Sequence, residues 1–167
     1  MRIKILIYGY GNPGRFDDGL GVRLAEEMEA WISKNKIDGV DCDTNYQLNI
    51  EDAEIISNYD LVLFADASEE DIRDVSITRV SPSDSKIEFT MHAVSPAFVL
   101  DLCNQIYGKT PSTWLIHIKG QDWQFNEGLS KMAKKNLSIA IKKTKAIILE
   151  PGNYFTPAKE SEMKDGI

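Results

Sequence analysis

The chain is sparing with the residues that announce several common chemistries. Its 167 residues include only two cysteines. These are Cys42 and Cys103, with neither metal-ligand spacing nor a C-x-x-C pair, which fits plain thiols in a reducing compartment. No apolar run approaches the ~20 residues of a membrane span. Met1–Tyr8 already reads as a strand running into a glycine loop rather than as a signal peptide, so a cytoplasmic chain is expected. Positive charge is short as well. Nineteen Lys and Arg face 26 Asp and Glu, and the net charge of −7 argues against a general nucleic-acid binder, whose affinity rests on neutralising phosphates. Internal repeats, linkers and low-complexity segments are missing.

What is present is ordinary for a globular protein: 43% hydrophobic and 27% charged residues. The length predicts a single domain with a real core. That domain is expected over 1–150, followed by a polar tail over 151–167, of which 153–167 is expected to be mobile and dispensable for folding.

The organising stretch is Ile3 to Val22. A β-rich apolar run ends in Gly9-Tyr10-Gly11-Asn12-Pro13-Gly14, two acids follow, and an amphipathic helix pattern begins with Leu20, Leu24, Met28, Trp31 and Ile32 on one face. Val40–Asn45 is a short strand. Ile50–Ile56 resembles a short helix with Asn49 as its N-cap. Asp60–Ala67 is a continuous apolar strand of the kind covered on both faces, with Asp66 at its carboxyl end. Val75–Val80 reads as an edge strand. Ser95 and Pro96 form an N-cap and first-turn pair opening a helix that ends near Gly108. Ser112–Lys119 is a further strand, and a helix is expected from about Glu127 to Ile148, stopped by Pro151 and Gly152. The order β-α-β-α-β-β-α-β-α predicts an α/β fold. It is a three-layer α/β/α sandwich on a mostly parallel sheet of about five strands, with room for one antiparallel edge strand.

The loop after the first strand matches G-x-G-x-x-G, the dinucleotide fingerprint, in the right context. That motif works by presenting backbone N–H groups and a helix N-terminus to a pyrophosphate. Here Pro13 removes one N–H, and Asp17 and Asp18 stand where phosphate charge would arrive. Like charges about 4 Å apart repel by roughly 4 kcal/mol at an effective dielectric near 20. The acids suit a helix N-terminus or a cation better.

Loops after parallel strands meet on one rim of an open sheet. Asp18 follows the first strand, Asp66 ends the strongest one, and His92 precedes a helix, so the three can converge. Two carboxylates and an imidazole without thiolate suit an intermediate divalent ion such as Ni²⁺ or Zn²⁺. Other roles stay open on spacing alone. Asp17 and Asp18 could complement the helix dipole, Asp66 could cap the following segment, and His92 could be structural. His117, inside a strand pattern, reads as structural.

An ordered set of short motifs resembles the hydrogenase maturation proteases. It comprises Gly9-Tyr10-Gly11-Asn12, Asp17-Asp18-Gly19-Leu20-Gly21, Tyr46-Gln47-Leu48-Asn49-Ile50-Glu51, Phe64-Ala65-Asp66-Ala67 and His92-Ala93-Val94-Ser95-Pro96. It continues with Gly120-Gln121-Asp122-Trp123 and Gly128-Leu129-Ser130, and so covers all but the tail. The resemblance implies an endopeptidase that trims a C-terminal peptide from the large-subunit precursor of a nickel–iron hydrogenase after nickel insertion. It implies that Asp18, Asp66 and His92 bind the substrate's nickel, with Cd or Zn as surrogates, and carry the catalytic role. Asp18 is preferred over Asp17 because the acid just before the small-x-Gly step is the ligand; Asp17 is assigned to the helix terminus. Where the family often has an Asp-Gly-Gly-Thr-like segment, this chain has Asp43-Thr44-Asn45-Tyr46-Gln47, so Asp43 is only a secondary catalytic candidate.

No serine or cysteine pairs with His92 by sequence logic, so a nucleophile–base triad is not expected. Hydrolysis through a metal-polarised carbonyl or a carboxylate-activated water is. The expected partner is the hydrogenase precursor, with no nucleic acid and no membrane, and the chain is expected to be a monomer. Two other readings are a non-catalytic metal-binding assembly factor on the same precursor and a dinucleotide-binding oxidoreductase.

Overall fold

Strand β1, Ile5–Tyr10, is apolar on both faces because it lies in the middle of a sheet with helices on each side. The computed structural model describes residues 2–82 and 94–155. Within them the chain runs β1, α1 (Leu20–Lys34), β2 (Val40–Asn45), α2 (Asp52–Ile56), β3 (Leu61–Ser68), β4 (Val75–Arg79), α3 (Pro96–Tyr107), β5 (Ser112–Lys119) and α4 (Lys131–Leu149). The sheet order is β2-β1-β3-β5-β4. The first four strands are parallel and β4 runs antiparallel along β5, which gives the three-layer architecture and its single antiparallel edge.

From β1 the chain winds outward to β2, then returns across to β3 on the other side. That reversal makes the β1/β3 boundary the topological switch point, where crevices open beyond the strands' carboxyl ends. Alternation along the strands sends side chains to two separate cores. Ile5, Ile7, Leu61, Leu63, Ile116 and Ile118 pack under α1 and α4 against Leu24, Met28, Ala140 and Ile147. Leu6, Tyr8, Val62 and Phe64 pack under α2 and α3 against Ala53, Ile56, Val99 and Leu100. Truncating one of these buried aliphatics, such as Leu63→Ala, costs about 2–5 kcal/mol.

Helix α3 begins as its sequence dictates. The Ser95 hydroxyl accepts the Phe98 N–H at 3.1 Å, Pro96 opens the helix, and Gly108 ends it at φ 65°. Three expectations need correction. Helix α4 starts at Lys131, not near Glu127, because Gly128 at φ 109° breaks the pattern and Ser130 caps the Ala133 N–H at 3.1 Å. Asn49 does not cap α2; its N–H instead donates to the Asp52 carboxylate at 2.7 Å, within the helix's own first turn.

The packed body also does not stop at residue 150. Pro151–Asn153 form a 3₁₀ turn, and the Tyr154 ring sits 5.0 Å from that of Trp114. The Tyr154 carbonyl accepts the Ser112 hydroxyl at 2.6 Å and the Trp114 indole N–H at 2.8 Å. The expected polar tail therefore begins no earlier than residue 156, and 156–167 lie outside the described residues. Among the described residues, no helix is long and apolar enough to cross a membrane.

Candidate functional site

The loop after β1 is pressed against the sheet by contacts that only glycine allows. A side-chain carbon at Gly21, in the first turn of α1, would stand 2.2 Å from the Ala65 carbonyl oxygen of β3. Gly11 adopts φ 136° and would place a side-chain carbon 2.0 Å from the Asp18 carbonyl oxygen. The glycine spacing thus serves close helix-to-sheet packing. The loop's N–H groups are also engaged internally. Asn12 N–H donates to the Asp18 carboxylate at 2.9 Å, and Gly14 N–H to the Asn12 side-chain carbonyl at 2.9 Å. An anion position at this turn is already held by a carboxylate of the chain itself, which removes the basis for pyrophosphate binding.

That same bond fixes Asp18 on the rim above β1. Asp66 projects from β3 on the face that carries Tyr8 and Tyr10 of β1, since strand residues two apart share a face. Burial pushes the Asp66 carboxyl up to about 7, the negative charge of Asp18 adds to the shift, and the Ala67 N–H and the Tyr10 hydroxyl oppose it. Tyr10 is raised well above the ordinary phenol range, by burial first and then by the Asp66 charge. Asp18 and Asp66 therefore form an interacting carboxylate pair at the switch point. Two anions held together in a part-buried crevice strain each other, and a divalent cation relieves that strain.

His92 lies outside the described residues. Among the described residues, no third His, Cys, Asp or Glu joins Asp18 and Asp66 in a group of metal-binding proportions. Asp43 is exposed on β2, beside Tyr8 and across β1 from Asp66, and its carboxylate accepts the Thr44 N–H at 2.8 Å. His117 stands next to Asp66 in the β3–β5 register, but its Nε2 meets the Thr78 hydroxyl at 2.9 Å and burial lowers its pKa.

Asp17 does not serve the N-terminus of α1. It is fully buried, and its carboxylate accepts N–H bonds from Gln121 at 2.8 Å, Asp122 at 2.9 Å and Ser130 at 2.8 Å, together with the Ser130 hydroxyl at 2.7 Å. Burial alone would raise its pKa, but these four donors outweigh it and the group ends below the usual carboxylate value. Neighbouring residues complete the clasp. Arg15 Nε donates to the Trp123 carbonyl at 3.0 Å, and Phe16 N–H to the Asn126 carbonyl at 2.8 Å. The adjacent acids thus divide, with Asp18 facing the crevice and Asp17 holding the loop that follows β5.

Two further polar side chains support the rim. Tyr10, beside Asp66, could have been picked out from period-two alternation with Tyr8. Buried Asp52 accepts the Tyr8 hydroxyl on both carboxylate oxygens at 3.0 Å, which ties the turn before α2 to β1; short-range spacing gives no signal for that pair. A cavity of about 500 Å³ lies elsewhere, beside α1 and the start of α4, lined by Phe16, Arg23, Glu27, Glu127, Leu129 and Lys134, and it includes neither Asp18 nor Asp66.

No family model and no curated protein matches the chain. Solved structures do. The hydrogenase maturating endopeptidase HybD from E. coli is similar at TM-score 0.69 and 21% identity, over 90% of this chain and 94% of that one. The [NiFe] hydrogenase maturation protease HycI from Thermococcus kodakarensis KOD1 is similar at TM-score 0.67 and 22% identity, over 88% and 91%. The hydrogenase 2 maturation peptidase from Thaumarchaeota archaeon SCGC_AB-539-E09 gives TM-score 0.63 and 22% identity, over 88% and 99%. At such identities what is shared is the backbone arrangement, and this chain has the fold of the hydrogenase maturation endopeptidases.

Proposed function

We propose that the chain is an endopeptidase that removes a C-terminal peptide from the nickel-loaded large-subunit precursor of a nickel–iron hydrogenase. The observation that carries this reading is the interacting pair Asp18 and Asp66 at the β1/β3 switch point, where burial first and then the charge of Asp18 push Asp66 up to about 7. The pair has the donor chemistry for a divalent cation. It sits in a fold shared with structures that bear the name of maturation endopeptidases.

In this reading Asp18, Asp66 and His92 grip the nickel that the precursor carries, and Cd²⁺ or Zn²⁺ can stand in for it. The metal is the substrate's cargo and acts as a template, bringing one peptide bond of the precursor into the crevice. Hydrolysis then needs polarisation of the scissile carbonyl by that metal, or a water deprotonated by a carboxylate. Tyr10 orients Asp66, and Asn12 orients Asp18. We place the activity in a cytoplasmic monomer.

The test is to incubate the nickel-loaded precursor with the protein and weigh the product. Loss of a C-terminal peptide, seen only with the loaded precursor, supports the reading. Stable binding with no change of mass identifies instead a non-catalytic metal-binding assembly factor. Saturable tight binding of a reduced nicotinamide would restore the oxidoreductase.

A further inference from the structure

Two loops flank the carboxylate pair, and both are built the same way. The turn after β2 is pinned from below by Leu48, 1% exposed in the α2–α3 core, and by the Asn49 N–H bond to buried Asp52. On either side of that plug it presents Tyr46, 71% exposed, and Ile50, 57% exposed. The loop after β5 is pinned by the Asp17 carboxylate and presents Phe125, 84% exposed, with the Arg15 guanidinium 5.7 Å from its ring centre. A large apolar side chain in water is unremarkable on a loose loop. Three of them on two loops tied down by buried groups, one loop on each side of a candidate site, is a different matter. The backbone that carries them is held before any partner arrives, which lowers the ordering cost of using an exposed aromatic as a binding anchor.

Position and charge say what fits between them. Strands β2 and β5 are three strand spacings apart in the order β2-β1-β3-β5, about 14 Å. An extended peptide crosses that distance in roughly four residues. Midway lie Asp18, after β1, and Asp66, near the end of β3, so carboxylates mark the centre of the track and apolar side chains its two ends.

We propose that Tyr46 and Ile50 on one side and Phe125 on the other are specificity-determining anchors for an extended protein segment that crosses the rim. The segment has apolar side chains about four residues apart and positive charge, metal or cationic, between them. This inference rests on the precursor-processing reading and identifies its occupant as the part of the precursor around the scissile bond. The anchors hold that segment in line so that the bond falls at the carboxylate pair. They take no part in the chemistry, so their loss is felt in binding.

The experiment measures cleavage of the nickel-loaded precursor by wild type, Tyr46→Ala, Ile50→Ala and Phe125→Ala. Leu149→Ala serves as control; it is 66% exposed but lies at the far end of α4 from the rim. Each rim variant is expected to melt with wild type and to raise KM about tenfold or more with kcat little changed, while Leu149→Ala changes neither. Wild-type KM in all three rim variants overturns the anchors and leaves the processing reading intact. A fall in kcat alone also overturns them, since it would place these side chains in catalysis. A wild-type protein that neither binds nor cleaves the precursor overturns the processing reading and the anchors with it.

Discussion

The Asp17 carboxylate accepts the Ser130 N–H at 2.8 Å with one oxygen and the Ser130 hydroxyl at 2.7 Å with the other, while that hydroxyl accepts the Ala133 N–H at the start of α4. One buried acid from the loop after β1 thereby sets both the shape of the loop after β5 and the first turn of the last helix. Asp17→Asn replaces an acceptor by an N–H₂ facing N–H donors, so at least one charge-assisted bond is lost and one buried donor is left unpaired. The expected cost is about 2–4 kcal/mol, a drop in melting temperature of roughly 4–16 °C for a domain of this size. A thermal melt decides it, and an unchanged midpoint would show that the clasp contributes nothing.

The same carboxylate predicts an acid limb. Its folded pKa lies below the ordinary 3.8 because the hydrogen bonds from Ser130, Asp122 and Gln121 outweigh burial. A depressed acid stabilises the fold fully above the unfolded value and loses that contribution as pH falls through the folded one. The gap between wild type and Asp17→Asn should therefore be widest above pH 4 and shrink below it. Urea titrations across that range would show a constant gap if the bonds were unimportant.

Asp66 has the opposite sign. Burial and the charge of Asp18 raise it from 3.8 to about 7, so between those values the unfolded chain has released a proton that the folded chain still holds. Stability from this group is complete below pH 3.8 and is lost as pH rises through 7. In chelator, metal-free Asp66→Asn should melt several degrees above wild type at pH 8 and level with it near pH 4. A wild type that is the more stable at pH 8 would mean that the two carboxylates are not strained.

Much of this architecture was legible in the sequence, because long apolar strands and capped helices carry their own signals. The α/β class, the order of elements and the antiparallel edge all follow from Ile5–Tyr10, Leu61–Ser68 and the Ser95-Pro96 start of α3. The Asp17 assignment failed for a physical reason. Adjacent acids before a helix look like dipole partners, and nothing local tells that one of them reaches across 113 positions to Ser130. Asn49 failed similarly, since α2 starts without a side-chain cap and the Asn49 N–H goes to Asp52, whose place is fixed by Tyr8 of β1. That Asp18 and Asp66 come near each other was legible because strand ends in a parallel sheet share a rim; the position of His92 lies outside the described residues.

The end of the chain offers a clean comparison. The Tyr154 carbonyl satisfies Ser112 and the Trp114 indole, and its ring packs on Trp114. A chain ending at Phe155 keeps all of this, whereas one ending at Asn153 loses two hydrogen bonds and an aromatic pair. Those are worth about 0.5–1.5 kcal/mol each. The shorter chain should thus melt several degrees lower than the longer one. Equal midpoints would return residues 154 and 155 to the dispensable tail first expected there.

The final prediction separates the two adjacent acids by function. Asp18→Asn retains a side-chain oxygen for the Asn12 N–H, and Asp66→Asn retains one for the Tyr10 hydroxyl, so both variants should fold. Each removes a formal negative charge from the carboxylate pair, and a divalent cation held by hard oxygen ligands depends on that charge. Asp18→Asn, Asp66→Asn and His92→Ala should therefore lose binding of Ni²⁺ or Cd²⁺ and lose precursor cleavage. Asp17→Asn should do the reverse, melting earlier yet binding the cation normally at a temperature where it is still folded, because its carboxylate faces the loop after β5. Calorimetric titration of the four variants, each paired with a melt, reads both properties. Loss of binding in folded Asp17→Asn with binding retained in Asp18→Asn would move the ligand one residue back along the chain. Wild-type cleavage by His92→Ala would remove the imidazole from the site.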